Sequence, residues 1–187
     1  MLGVLLHLMT QLELLNQLEI EVRKQLEIVR ANFSEKALDG LQSRSEAGVW
    51  NALECFAHLN FFFDRYLPRI ERAIHLSKAR RWGPGDHVRY TWMGRRINKF
   101  ANITNLAVRK TSKKHDFFDK FLGKETIKMF IINSERLLRN IQAAREVDLN
   151  HAKIGWGSSG FFSITLGNTF EWLVLHGQRH VNQALKQ

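Results

Sequence analysis

The chain has 187 residues, of which 44% are hydrophobic and 11% aromatic, a composition that excludes a disordered or fibrous protein and suits a single domain over residues 1–187. One cysteine, Cys55, excludes an internal disulfide framework and a cysteine-based zinc cluster, so any metal must rest on nitrogen and oxygen ligands. The formal net charge of +10 points towards anionic partners, but much of it is gathered in residues 78–114, where Asp86 is the only acid.

Only two prolines, Pro68 and Pro84, interrupt the chain, and long stretches carry three-and-four hydrophobic spacing, so an all-α protein is expected. Leu5, Leu8, Leu12, Leu15, Val22, Leu26, Val29 and Phe33 predict a first amphipathic helix over 5–32. Residues 34–48 read as a polar turn region, with Ser45 and Glu46 as the expected start of the next helix. A second helix follows from Val49, with His58 near its middle on a largely apolar stripe and Pro68 as a predicted kink.

The basic segment 78–114 reads as a long crossing connection with one short helix over 92–100. A third helix is expected over 115–147, its buried stripe formed by Phe118, Phe121, Leu122, Ile127, Phe130, Ile131, Leu137, Leu138 and Ile141, with Ser134 as a small polar gap. Residues 148–160 read as irregular, and a fourth helix is expected over 166–186. Four amphipathic helices with a long connection between the second and third describe a four-helix bundle. No apolar run reaches the ~18–20 residues of a membrane span. The opening residues lack a signal peptide's charged start and cleavage site, and a reducing cytoplasmic setting is expected.

The chemistry centres on His176 and His180, four residues apart on the fourth helix, the spacing by which one helix offers two ligands to one metal ion. Their stripe also carries Thr169, Trp172, Leu173, Gln183 and Ala184, so both imidazoles point to the buried side, where polar groups need partners. His58 on the second helix supplies a third nitrogen, and bundles build metal sites from facing side chains in this way. Three neutral nitrogens leave a position for water or substrate, as in a catalytic site. Glu54, one turn before His58, is expected to orient that imidazole or act as general base, or else to be a solvated helix glutamate. Gln183 and Ser134 are candidate supporting groups, and Cys55 reads as a small core residue. In the basic segment, Arg80, Arg81, Arg95, Arg96 and Lys99 read either as a solvated connection or as a lid that attracts an anionic substrate. Nucleic-acid binding, with Trp82, Tyr90 and Trp92 among the basic residues, has no recognisable motif.

Trp50 followed eight residues later by His58 in WNALECFAHL, together with the closing HGQRHVNQ, resembles the two signatures of the DinB/YfiT-like superfamily, and the likeness covers essentially the whole chain. The run YTWMGRR, from Tyr90 to Arg96, is similar to a feature of one subgroup, whereas Gly177 departs from the more usual acidic or bulky residue. The resemblance implies a small bacterial bundle holding a divalent metal, nickel or zinc, through His58, His176 and His180. It implies transfer of a low-molecular-weight thiol to a small electrophile, thiol-assisted isomerisation or hydrolysis, with a non-enzymatic metal-binding or stress-related protein as the alternative. It also implies a homodimer, with which Phe161 and Phe162 are compatible.

Overall fold

The structure, a computed structural model, describes residues 9–101, 113–157 and 162–187. Leu5, Leu8 and Phe161, and residues 102–112 of the basic segment, lie outside the described residues.

Helix α1 (Gln11–Phe33) starts where a capping box closes: Glu13 N–H donates to Thr10 Oγ1 at 3.1 Å, and Thr10 N–H donates back to Glu13 Oε2 at 2.7 Å. A five-residue helix, α2 (Leu38–Gln42), fills part of the polar turn and buries Leu41. Helix α3 (Ala52–Ala79) begins at a second capping box, Asn51 with Glu54, rather than at the expected Ser45 and Glu46. Ser45 is diverted instead: its N–H and hydroxyl both bond Gln187 Oε1 at the far end of the chain, and Gly48 at φ +82° separates it from the helix. Pro68 lies within α3 on the exposed side, where solvent can satisfy the carbonyl it leaves free.

The connection carries α4 (Trp92–Ala101), close to the expected short helix. Helix α5 (Glu125–Ala143) begins ten residues later than the expected 115, and a single 3₁₀ turn (Ala144–Glu146) follows it. Hydrogen bonding before Gly123 competes with the helix: the Asp116 carboxylate accepts Phe118 N–H at 3.1 Å, and Asp119 sits at φ +54° with its N–H committed to Glu54. Phe118 and Phe121 therefore leave the predicted stripe, and Phe121 is 96% exposed.

The stretch read as irregular, 148–160, holds β1 (Lys153–Trp156), which pairs antiparallel with β2 (Phe162–Thr165) just after it, Ile154 facing Ile164. Both isoleucines are buried, and four-residue strands are too short to stand out by period. The ribbon runs directly into α6 (Leu166–Ala184), whose N-cap Thr165 accepts Asn168 N–H at 3.1 Å.

Helices α1 and α3 lie on one diagonal of the bundle and α5 and α6 on the other, so each of the first pair packs on both of the second. Leu15, Val29, Phe33, Phe56, Phe130, Ile141 and Phe170 fill the interior and are at most 2% exposed. Each such side chain contributes roughly 1.5–3 kcal/mol of burial against its exposed state. Helix α4 crosses α6 closely at Gly94, where a Cβ would stand 2.1 Å from the Asn168 amide. The architecture is an all-α bundle carrying one small β-ribbon. Among the described residues no helix is long and apolar enough to cross a membrane.

Candidate metal centre

The α3 capping box fixes the helix start, and two turns later His58 faces α6, where it meets His176 and His180. One ligand atom from each of the three imidazoles lies within 4.8 Å of the others. His58 is 5% exposed, and the other two are partly buried. The sequence-predicted triad is therefore brought together at one place.

The tautomers follow from the outer contacts. His58 Nδ1 lies 2.9 Å from the His115 carbonyl oxygen, which can only accept, so Nδ1 carries the proton and Nε2 presents a lone pair. His180 Nδ1 lies 3.0 Å from Gln183 Oε1, and with the amide so oriented its Nε2 is free in the same way. His176 Nε2 stands 3.2 Å from His58 Nε2, while His176 Nδ1 is buried with no hydrogen-bond partner among the described residues.

The His58–His176 pair has the spacing of two ligands on one divalent ion. At metal–nitrogen bonds of ~2.0–2.1 Å, neighbouring nitrogens stand about 3.3 Å apart in a tetrahedron and about 2.9 Å apart at right angles. The 3.2 Å separation falls between those values. All three imidazoles have lowered pKa values, chiefly because the site strips water from the charged form: His58 to about 4, His180 to about 3 and His176 well below the usual range. Repulsion among the three rings adds to the shift of His176. At neutral pH all three are thus uncharged, the form in which imidazole ligates.

Aromatic rings enclose the cluster. Trp50 stacks on His180 with centroids 5.8 Å apart, and Trp172 stacks on His176 at 5.1 Å. Phe62 sets its edge against both His58 and His176 at 5.0 Å. Such walls exclude water and strengthen electrostatic interactions inside.

The other candidates separate clearly. The Glu54 carboxylate, fully buried, accepts hydrogen bonds from Asn51 N–H at 2.9 Å, from both terminal nitrogens of Arg44 at 2.6 and 2.7 Å, and from Asp119 N–H at 2.7 Å. These contacts give no support to a general base at this position, nor to a solvated glutamate. Cys55 is wholly buried, and desolvation together with the Glu54 charge pushes its thiol well up, as suits a core residue. Ser134 is buried on α5, a helix that packs on α1 and α3. Gly177 has a packing reason: a Cβ there would stand 2.5 Å from Gln25 Oε1 of α1, whose amide donates to the Val174 carbonyl.

Of the basic segment, Arg80 lies over Trp82 and Arg96 over Trp92 and Phe100, all on the outer surface or near it. A cavity of about 500 Å³ lined by Asp86, His87, Arg89, Tyr90, Asp148 and Lys153 includes none of the three triad histidines. Sequence reasoning missed His115. It lies in a 3₁₀ turn (Lys113–His115), its ring 5.7 Å from that of His58 and 5.2 Å from that of Phe62, and its Nδ1 is buried without a partner among the described residues. The sequence placed it at the first position of the expected third helix, and its approach to His58 depends on a 3₁₀ turn that no helical spacing discloses.

Comparison with known proteins finds no match among curated proteins and none among solved structures. The sequence pattern of the DinB superfamily matches residues 21–184, a span that contains all three convergent histidines. The chain belongs to the DinB superfamily.

Proposed function

We propose that His58, His176 and His180 hold one divalent cation, nickel or zinc, and that the protein uses it to transfer a low-molecular-weight thiol to a small electrophilic molecule. The observation that carries this is the convergence of three imidazole donors, two of which have Nδ1 tied outward so that Nε2 faces the centre. A bound divalent ion supplies Lewis acidity, which favours thiolate over thiol, or hydroxide over water, at neutral pH. The residues of the chain supply the rest. His115 O and Gln183 Oε1 hold two of the rings in place. Trp50, Phe62 and Trp172 keep the centre dry and offer an apolar surface to a small organic substrate. The setting we infer is cytoplasmic, where millimolar thiols are available, with the chain acting as one domain and pairing as a homodimer.

The test is direct. The purified protein is expected to carry close to one nickel or zinc per chain, to lose it with chelator, and to couple a thiol to an aryl halide only in the metal-loaded form. Hydrolysis of an activated ester in place of thiol coupling would change the reaction assigned. Metal held at one per chain with no turnover by any thiol would leave a metal-binding protein without catalysis.

A further inference from the structure

Residues 113–122 run past His58 as a strap between the basic connection and α5. Three attachments hold it, two to α3 and one to the loop before that helix. His58 Nδ1–H donates to the His115 carbonyl at 2.9 Å. Asp119 N–H donates to Glu54 Oε1 at 2.7 Å, from a residue at φ +54°. Arg44 closes the set: it pairs with both Glu54 oxygens, reaches Asp119 Oδ1 at 2.7 Å, and lies 4.4 Å over the Phe118 ring.

A fully buried carboxylate is a costly way to begin a helix, and replacing a buried ion pair by apolar side chains is often neutral or stabilising. What this pair does hold is Asp119, four residues along the strap from the carbonyl that meets His58 Nδ1. Neutral imidazole in water favours the proton on Nε2, which would cap the atom that has to face the cation. The His115 carbonyl reverses that preference for His58.

We propose that Arg44 and Glu54 are positioning residues for the metal centre. They lock the strap so that the His115 carbonyl holds His58 as its Nδ1–H tautomer, with Nε2 turned to His176. Neither residue touches the cation. This rests on the three-histidine metal reading above and assigns to that site a support drawn from the loop before α3 and the strap before α5.

The test uses the full-length chain and zinc as the probe, with affinity read by competition against a chromophoric chelator. Arg44→Ala is expected to bind zinc about 10–100-fold more weakly than the wild type, the usual range for loss of an outer support. Arg44→Lys keeps the charge and loses the fork, and an intermediate loss is expected. In the metal-free protein, nitrogen-15 signals of His58 should report Nδ1–H in the wild type and a shift towards Nε2–H in Arg44→Ala. Exchange of the Asp119 amide should speed up at the same time. Zinc affinity within twofold of wild type in Arg44→Ala, with the Nδ1–H signature kept, would overturn the positioning role. If Arg44→Ala does not fold, the same two readouts in Arg44→Lys decide the matter. His58→Ala separates the layers: affinity unchanged in that variant, or no zinc bound by the wild type, overturns the metal reading and this proposal with it. Loss in His58→Ala alone, with both Arg44 variants unaffected, overturns only the positioning.

Discussion

The two sides of the three-histidine cluster are built by opposite means. On the α6 side, His176 and His180 owe their alignment to one helical turn, and a stack on Trp172 and a bond to Gln183 complete the arrangement within the same helix. On the strap side the bonds that reach the cluster are long-range. His115 and Asp119 are placed by bonds to His58, Glu54 and Arg44, which lie 57 to 75 residues away along the chain. The three converging imidazoles come from periodic elements, whereas the partner of His58 Nδ1 comes from aperiodic chain pinned at long range.

The largest effect should come from the local side. His176→Ala removes one of the three proposed ligands, an imidazole whose Nε2 is 3.2 Å from that of His58. Its loss of zinc affinity should exceed the ~100-fold upper range for outer-support variants, and so exceed that of Arg44→Ala. Equal losses in the two variants would erase the distinction between ligand and support. Because α6 makes its own cap and core contacts, the His176→Ala chain should keep its helical circular dichroism unchanged.

That asymmetry also explains what the sequence disclosed. The start of α6 at Leu166 and the inward placement of His58, His176 and His180 follow from hydrophobic spacing, so they were legible. The capping box of Asn51 and Glu54 was legible in principle, since an N-cap residue followed three positions later by an acid precedes an apolar run. The strap was not. Its phenylalanines continue the helical period of α5 backwards, and that period is not obeyed because Asp116 takes the Phe118 amide and Glu54 takes the Asp119 amide. The β-ribbon escaped for a related reason, because four residues give too few alternations to separate from a loop.

Glycine contacts sharpen the comparison on the helical side. Gly94→Ala would press a methyl to 2.1 Å from Asn168, which is fully buried and bonded to Thr91 and Thr165, so the neighbour has no room to give. Destabilisation of about 1–3 kcal/mol is expected from overpacking, measured by urea unfolding. Gly177→Ala meets Gln25 at 2.5 Å and threatens its bond to the Val174 carbonyl, a loss of about 1 kcal/mol. Alanine returns up to ~1 kcal/mol of helix propensity at both positions, and the looser contact at Gly177 leaves the smaller net change there. A Gly177→Ala chain less stable than Gly94→Ala would mean that the α1–α6 contact, not the α4–α6 crossing, sets the bundle's tolerance.

A separate effect is one of acidity, and its sign follows from the depressed imidazoles. In the metal-free protein His58 titrates near 4 and His180 near 3, against 6.5 for an unhindered histidine. Between those limits the unfolded chain binds more protons than the folded one, so folding stability rises with pH across the window and falls as pH drops through it. The stability is therefore complete above about 6.5 and is withdrawn progressively towards 4. Thermal midpoints of the metal-free protein should decline over that range, and His58→Ala should flatten the slope by removing one of the contributing groups. Zinc competes with protons for the same nitrogens, so a saturated sample should keep its midpoint further into acid than the metal-free one. An identical decline with and without zinc would show that carboxylates elsewhere, such as Glu19 held low by Arg23 and Arg145, govern acid stability rather than the imidazole cluster.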